Sequence, residues 1–147
     1  MAVKSIEKNL KSSLENVKKA VSEILEFLDS NIINLSKEDF LDLKLVLNEL
    51  IINSVIHGNN NDISKTVKIY IEVSSENIIK ATISDEGKGY NYNKYLIKEQ
   101  KQLSFDENGR GIALVSALID TITFNDIGNT VKFTKKVSIN EKNSYCG

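Results

Sequence analysis

The spacing of hydrophobic positions changes several times along the chain, and each spacing predicts an element. Leu14, Val17, Val21, Ile24 and Leu28 recur at three- and four-residue intervals. That predicts an amphipathic helix from about Leu10 to Asn31. The segment before it, "VKSIEKN", reads as a short strand. Ser36 followed three residues later by Asp39 has the form of a capping box, so a second helix is predicted from about Lys37 to His57. Its buried stripe should include Leu43, Val46, Leu47 and Leu50, and it should stop at Gly58 and the asparagine-rich turn after it. Val67, Ile69, Ile71 and Val73 alternate with Lys68, Tyr70 and Glu72, the pattern of a strand with one wet face. Ile79, Ala81 and Ile83 predict a second strand, ending near Asp85. From Tyr90 to Asn108 the pattern fades into a polar stretch, long enough to be a functional lid. A short helix over Gly109–Ile119 and strands near Thr121–Asn125 and Thr130–Ile139, joined at "DIGN", complete the chain. Helices and strands come in runs, without strict alternation. The expectation is an α+β fold, a two-layer sandwich of a mostly antiparallel or mixed sheet with helices on one face.

Composition narrows the function classes. At 147 residues one domain is expected, spanning 1–147, with a core of about 4–139 and a frayed tail over 140–147. A formal charge of −1 gives no basic excess, so no nucleic-acid partner is expected. The single cysteine, Cys146, cannot form an internal disulfide, which suits a reducing compartment. No apolar run approaches the ~20 residues of a bilayer span. The start "MAVKSIEKNLKSS" lacks a signal-like apolar stretch. A cytoplasmic protein without a membrane partner is expected.

Three segments carry candidate chemistry. In "NELIINSVIHGNNN", Glu49, Asn53 and His57 fall at i, i+4 and i+8, one face of an α-helix otherwise built from core residues. An asparagine carbonyl can supply one oxygen ligand to Mg²⁺, and a carboxylate one turn away can take a proton from an attacking hydroxyl or water. His57 near the helix end also suits plain capping or packing. In "ISDEGKGYN" a strand runs into Asp85-x-Gly87-x-Gly89. An ionised carboxylate only accepts hydrogen bonds, so Asp85 can hold the exocyclic amine of adenine and would repel the carbonyl of guanine. The glycines permit close backbone approach and a sharp turn, although an acidic surface turn has the same composition. In "NGRGIALVSAL" the only arginine, Arg110, sits between Gly109 and Gly111 at a predicted helix start. Such a start presents free N–H groups and partial positive charge to a phosphate. An exposed arginine without a special role would read the same. No P-loop and no Rossmann fingerprint is present.

Taken together, E-x-x-x-N-x-x-x-H-G, D-x-G-x-G and G-x-G-I-x-L, followed by Thr130 in "GNTVKF", resemble the N, G1 and G2 boxes of the Bergerat-fold (GHKL) ATPases. The resemblance covers roughly Lys37 to Lys136. The compact form is most similar to the bacterial anti-sigma-factor serine/threonine kinases. It implies ATP and Mg²⁺ as cofactors, with Glu49 as general base, Asn53 as metal ligand and Asp85 as adenine anchor. It further implies base contact at Gly87 and Gly89, phosphate contact at Gly109 and Gly111, and support of the adenine pocket by Thr130; Arg110, between those glycines, and His57, on the helix face of Glu49 and Asn53, are expected among the nucleotide-binding residues. The implied partners are a sigma factor and an anti-sigma antagonist protein, in a homodimeric kinase. Two departures stand out: Ser54 where asparagine is frequent, and Ala113 where a glycine is common. A nucleotide-dependent binding module without kinase activity, or a histidine-kinase-like ATPase domain acting in trans, would share these motifs.

Overall fold

The computed structural model describes residues 3–89 and 107–138. The chain order is β1 (Lys4–Lys11), α1 (Leu14–Asn31), α2 (Lys37–Asn53) continuing into a π-helical turn (Ser54–Gly58), β2 (Thr66–Val73), β3 (Ile78–Ser84), α3 (Glu107–Leu118), β4 (Thr121–Phe124) and β5 (Thr130–Lys136). The five strands form one sheet in the order β1-β2-β3-β5-β4, and every pairing is antiparallel. The parallel component that a mixed sheet would carry is absent among the described strands. β5 enters between β3 and β4, so the turn before β5 lies beside the end of β3. This places Asp85 next to Asn129, whose carbonyl accepts the Asp85 N–H at 2.9 Å.

Alternation puts one face of the sheet against the helices. Ile69, Ile83 and Val131 share one cross-strand row; Ile71, Ala81 and Phe133 share the next. All six are buried. The helices answer with Val17, Val21, Ile24 and Leu28 from α1, and with Leu43, Val46, Leu47 and Leu50 from α2. Fully burying such aliphatic side chains stabilises the fold by about 1.5–3 kcal/mol each. Ser36 caps α2 by accepting the Asp39 N–H at 3.1 Å.

The first helix is shorter than its periodicity suggests. Leu10 belongs to β1, where it pairs with Val67, and α1 begins only at Leu14. Ser13 is the reason: it adopts an extended backbone and its hydroxyl accepts the Asn16 N–H at 3.2 Å. Leu14, in the first helical position, is 54% exposed. The i, i+4 spacing of Leu10 and Leu14 therefore straddles a strand end and a helix start. At the other end of the chain, residues 139–147 and the expected Tyr90–Asn108 lid lie wholly or mostly outside the described residues. Among those described, no helix is long and apolar enough to cross a membrane.

Lys135 is the one charged residue that is buried among the described residues. Its ammonium donates to the Leu118 carbonyl at 2.6 Å and lies 3.5 Å from an Asp39 carboxylate oxygen. It thereby closes the C-terminal end of α3, where free carbonyls and the helix dipole favour a cation. It also ties α3 to the first turn of α2.

Candidate functional site

Four elements converge on a cleft at the end of the sheet: α2 with its π-helical turn, α3, the end of β3 with the turn after it, and the β4–β5 hairpin. Leu50, Ile83, Ile112 and Phe124 give it apolar walls. Asn53, Ser54, Asp85, Asn129 and Thr130 supply its polar groups. Apolar walls with a few convergent polar groups are the lining of a small-molecule site, although the space open inside this one is only ≈ 10 Å³.

Asn53 ends α2 and is buried at 6% exposure, and its amide nitrogen has no hydrogen-bond partner among the described residues. A buried polar atom without a partner is costly in a folded protein, and this one lines a cleft. From Ser54 the helix widens: the Asn59 N–H reaches the Ser54 carbonyl, five residues back, at 2.8 Å. Such π-helical turns concentrate at functional sites. His57 falls within this turn, is exposed and does not line the cleft. The line expected from Glu49 through Asn53 to His57 does not extend to the histidine, because the regular α-helix ends at Asn53.

Asp85 is half-buried just past β3. Its Oδ1 accepts the Gly87 N–H at 2.8 Å. Burial pushes its carboxyl above the ordinary value of 3.8, against the opposing pull of that hydrogen bond, of the nearby Ser54 hydroxyl and of the Lys65 charge. Gly58 and Gly87 are glycines for a steric reason. A Cβ on Gly58 would strike the Asp85 carboxylate, and one on Gly87 would strike the Gly58 carbonyl. The π-helical turn and the Asp85 turn are thus packed backbone to backbone. Gly89 has a φ of +96° and lies against the Ile127 carbonyl.

Glu49 is half-buried on α2, and its carboxylate fills the space beside the Cα of Gly111 on α3. Gly109 and Arg110 lie in the first turn of that helix, which begins at Glu107. Thr130 opens β5; its hydroxyl donates to Ser84 Oγ at 3.1 Å and it lines the cleft. The structure therefore brings Asn53, Asp85 and Thr130 to one cleft, and Glu49 to Gly111.

Several residues here carried no role in the sequence reading. Phe124 was one position of a predicted strand, and Ile112 only the isoleucine of G-x-G-I-x-L. Asn59 looked like one of three turn asparagines, yet it is fully buried and bonded to three elements. Asn60 and Asn61, with φ of 54° and 58°, are the ones that make the turn. Asn129 belongs to the "DIGN" turn; its amide donates to the Gly87 carbonyl at 3.2 Å.

Comparison with known proteins bears on this geometry. A sequence profile described as the histidine kinase-like ATPase domain matches residues 10–135. The serine-protein kinase RsbW of Staphylococcus aureus strains JH9 and Newman is 30% identical over 109 residues, covering 68% of this chain and 67% of the relative. Among solved structures, the RsbU and RsbW domains of Rv1364c from Mycobacterium tuberculosis align over 91% of this chain, with a TM-score of 0.63 and 17% identity. The histidine kinase domain of the Erythrobacter litoralis EL346 blue-light activated histidine kinase aligns over 84%, with a TM-score of 0.52 and 16% identity. This chain spans 32% and 60% of those two chains, and at such identities they speak for the fold alone. The profile match and the 30% identity speak for descent: the chain belongs to the histidine kinase-like (GHKL) ATPase family, with the α+β architecture of that fold.

Proposed function

We propose that the protein is a Mg²⁺-ATP-dependent serine/threonine protein kinase of the anti-sigma-factor type. The observation that carries the reading is Asp85: a carboxylate acceptor held in an apolar-walled cleft, on a chain 30% identical to a serine-protein kinase. Asp85 takes the adenine amine, the Gly87–Gly89 backbone lies along the base, and Thr130 supports the pocket through Ser84.

The residues present fit the nucleotide and its metal. Asn53 is buried at the cleft; the atom without a partner among the described residues is its Nδ2, a donor that suits a phosphate oxygen, while its carbonyl oxygen is the group that would take Mg²⁺. Among the described residues no cluster of three or more His, Cys, Asp or Glu could cage a metal ion. One asparagine oxygen, with phosphate oxygens and water completing the shell, is how Mg²⁺ is commonly held beside a nucleotide. Bound there, Mg²⁺ neutralises charge on the phosphates. Glu49, beside the early part of α3, is the group to accept the proton of the attacking hydroxyl, and the first turn of α3 with Gly109 and Arg110, together with Gly111 just after it, faces the phosphates. The exposure of His57 leaves it outside this assignment. The protein substrate is an anti-sigma antagonist, the second partner is a sigma factor, and the active form is a homodimer, as in the kinases whose motifs it resembles.

Glu49→Gln tests the chemistry. It should bind ATP as the parent does and lose phosphotransfer to a serine acceptor by about 10²-fold or more. Full transfer by this variant would remove Glu49 from the role of base. Tight ATP binding by the parent with no transfer to any acceptor would mark a nucleotide-dependent binding module.

A further inference from the structure

Asn59 is 0% exposed and does not line the cleft. Its side chain is fully used. Oδ1 accepts the Glu86 N–H at 2.8 Å; Nδ2 donates to Ser12 Oγ at 2.9 Å and to the Thr66 carbonyl at 3.0 Å. Its own N–H holds the Ser54 carbonyl at 2.8 Å. One residue therefore joins the β1–α1 junction, the start of β2, the π-helical turn and the Asp85 turn.

The chemistry of the side chain matters. The site needs one acceptor and two donors on a short planar fork, which asparagine offers. Aspartate has no donors, serine has one, and glutamine is a methylene longer. The turn it holds is gripped on its other flank by Asn129, whose carbonyl takes the Asp85 N–H and whose amide reaches the Gly87 carbonyl. The position of the Asp85 carboxylate is then set by the Gly58 contact, the Gly87 N–H and these two asparagines.

We propose that Asn59 is a positioning residue of the nucleotide site: its buried amide fixes the Asp85–Gly87 turn and so sets nucleotide affinity without touching the nucleotide. The proposal rests on the reading of the cleft as an adenine site. A recognition group held in place before binding loses less freedom when the ligand arrives, so loosening the turn weakens binding even in a fully folded protein.

The test compares the parent with Asn59→Ala and with the milder Ser12→Ala, which removes one anchor of the Asn59 amide. Calorimetric titration with ATP gives affinity and stoichiometry separately. A role confined to folding lowers the fraction of competent molecules and leaves Kd alone. The positioning role raises Kd roughly tenfold in Asn59→Ala at unchanged stoichiometry, and by a smaller factor in Ser12→Ala. Hydrogen exchange without nucleotide supplies a second readout: the Glu86 amide should exchange roughly tenfold faster in Asn59→Ala. Parental Kd and parental Glu86 protection in the folded variants overturn the proposal while leaving the adenine site intact. If Asn59→Ala does not fold, parental values in Ser12→Ala do the same. Failure of the parent to bind ATP overturns the adenine reading, and the affinity claim with it.

Discussion

The carboxylate of Glu49 occupies the space that a side chain on Gly111 would need. A group on α2 and the early part of α3 are thereby held in contact, and the glycine is what allows it. Gly111→Ala must displace Glu49 or α3. It should destabilise the protein by about 1–3 kcal/mol and slow phosphotransfer. Urea denaturation of Gly111→Ala, Glu49→Ala and the double variant checks the cause. If the clash is responsible, the double variant recovers much of the loss; strict additivity would mean that the two residues do not meet.

Gly58 stands in the same relation to Asp85. A methyl at position 58 collides with the carboxylate, so Gly58→Ala should weaken ATP binding by about tenfold or more. Titration of the variant with ATP reads this directly. Unchanged affinity would mean that the carboxylate can move without consequence and does not anchor the base.

The burial of Asp85 makes two pH predictions of defined sign. Its folded-state pKa is raised, so the folded protein holds this proton more tightly than the unfolded chain. Its contribution to stability is therefore full below the ordinary value of 3.8, is lost as pH rises from there through the raised folded value, and stays lost above it. Asp85→Asn should be more stable than the parent at neutral pH without nucleotide, and the difference should vanish at the acid end. ATP affinity runs the other way. The anchor must be ionised to accept, so affinity falls on acidification, and begins to fall at a higher pH than an ordinary aspartate would dictate. Thermal melts and titrations of both proteins across pH check the two signs.

Lys135 makes a stability prediction away from the cleft. Lys135→Met keeps the stem of the side chain but leaves the Leu118 carbonyl and the Asp39 carboxylate without their cation. Asp39 keeps the Ser138 N–H at 2.7 Å, so the loss is partial. A destabilisation of about 1–3 kcal/mol is expected in urea denaturation, with ATP affinity changed little. A neutral result would mean that solvent serves the end of α3 as well as the lysine does.

The elements whose burial follows one strict period were legible in the sequence. β2 and β3 alternate cleanly, and Ser36 announces α2, because side-chain period and capping are local physics. The start of α1 was not legible. Leu10 and Leu14 sit at helical spacing by coincidence, and only the Ser13 cap separates strand from helix. Asn53 could be picked out because a polar residue inside an apolar run is anomalous, and Asp85 because a carboxylate at a strand end runs into two spaced glycines. Asn59 and Asn129 could not, because each acts through a bond to a segment distant in sequence. The π-helical turn was invisible as well: it begins inside the apolar run, and no residue spacing there distinguishes it from the α-helix before it.

The central claim is that Asp85 makes this cleft an adenine site. The most direct measurement is calorimetric titration with ATP and with GTP, in Mg²⁺, of the parent and of Asp85→Asn. The account predicts that the parent binds ATP, that GTP binds far more weakly, and that Asp85→Asn loses most of the ATP affinity. Equal binding of the two nucleotides, or full ATP affinity in Asp85→Asn, would contradict it.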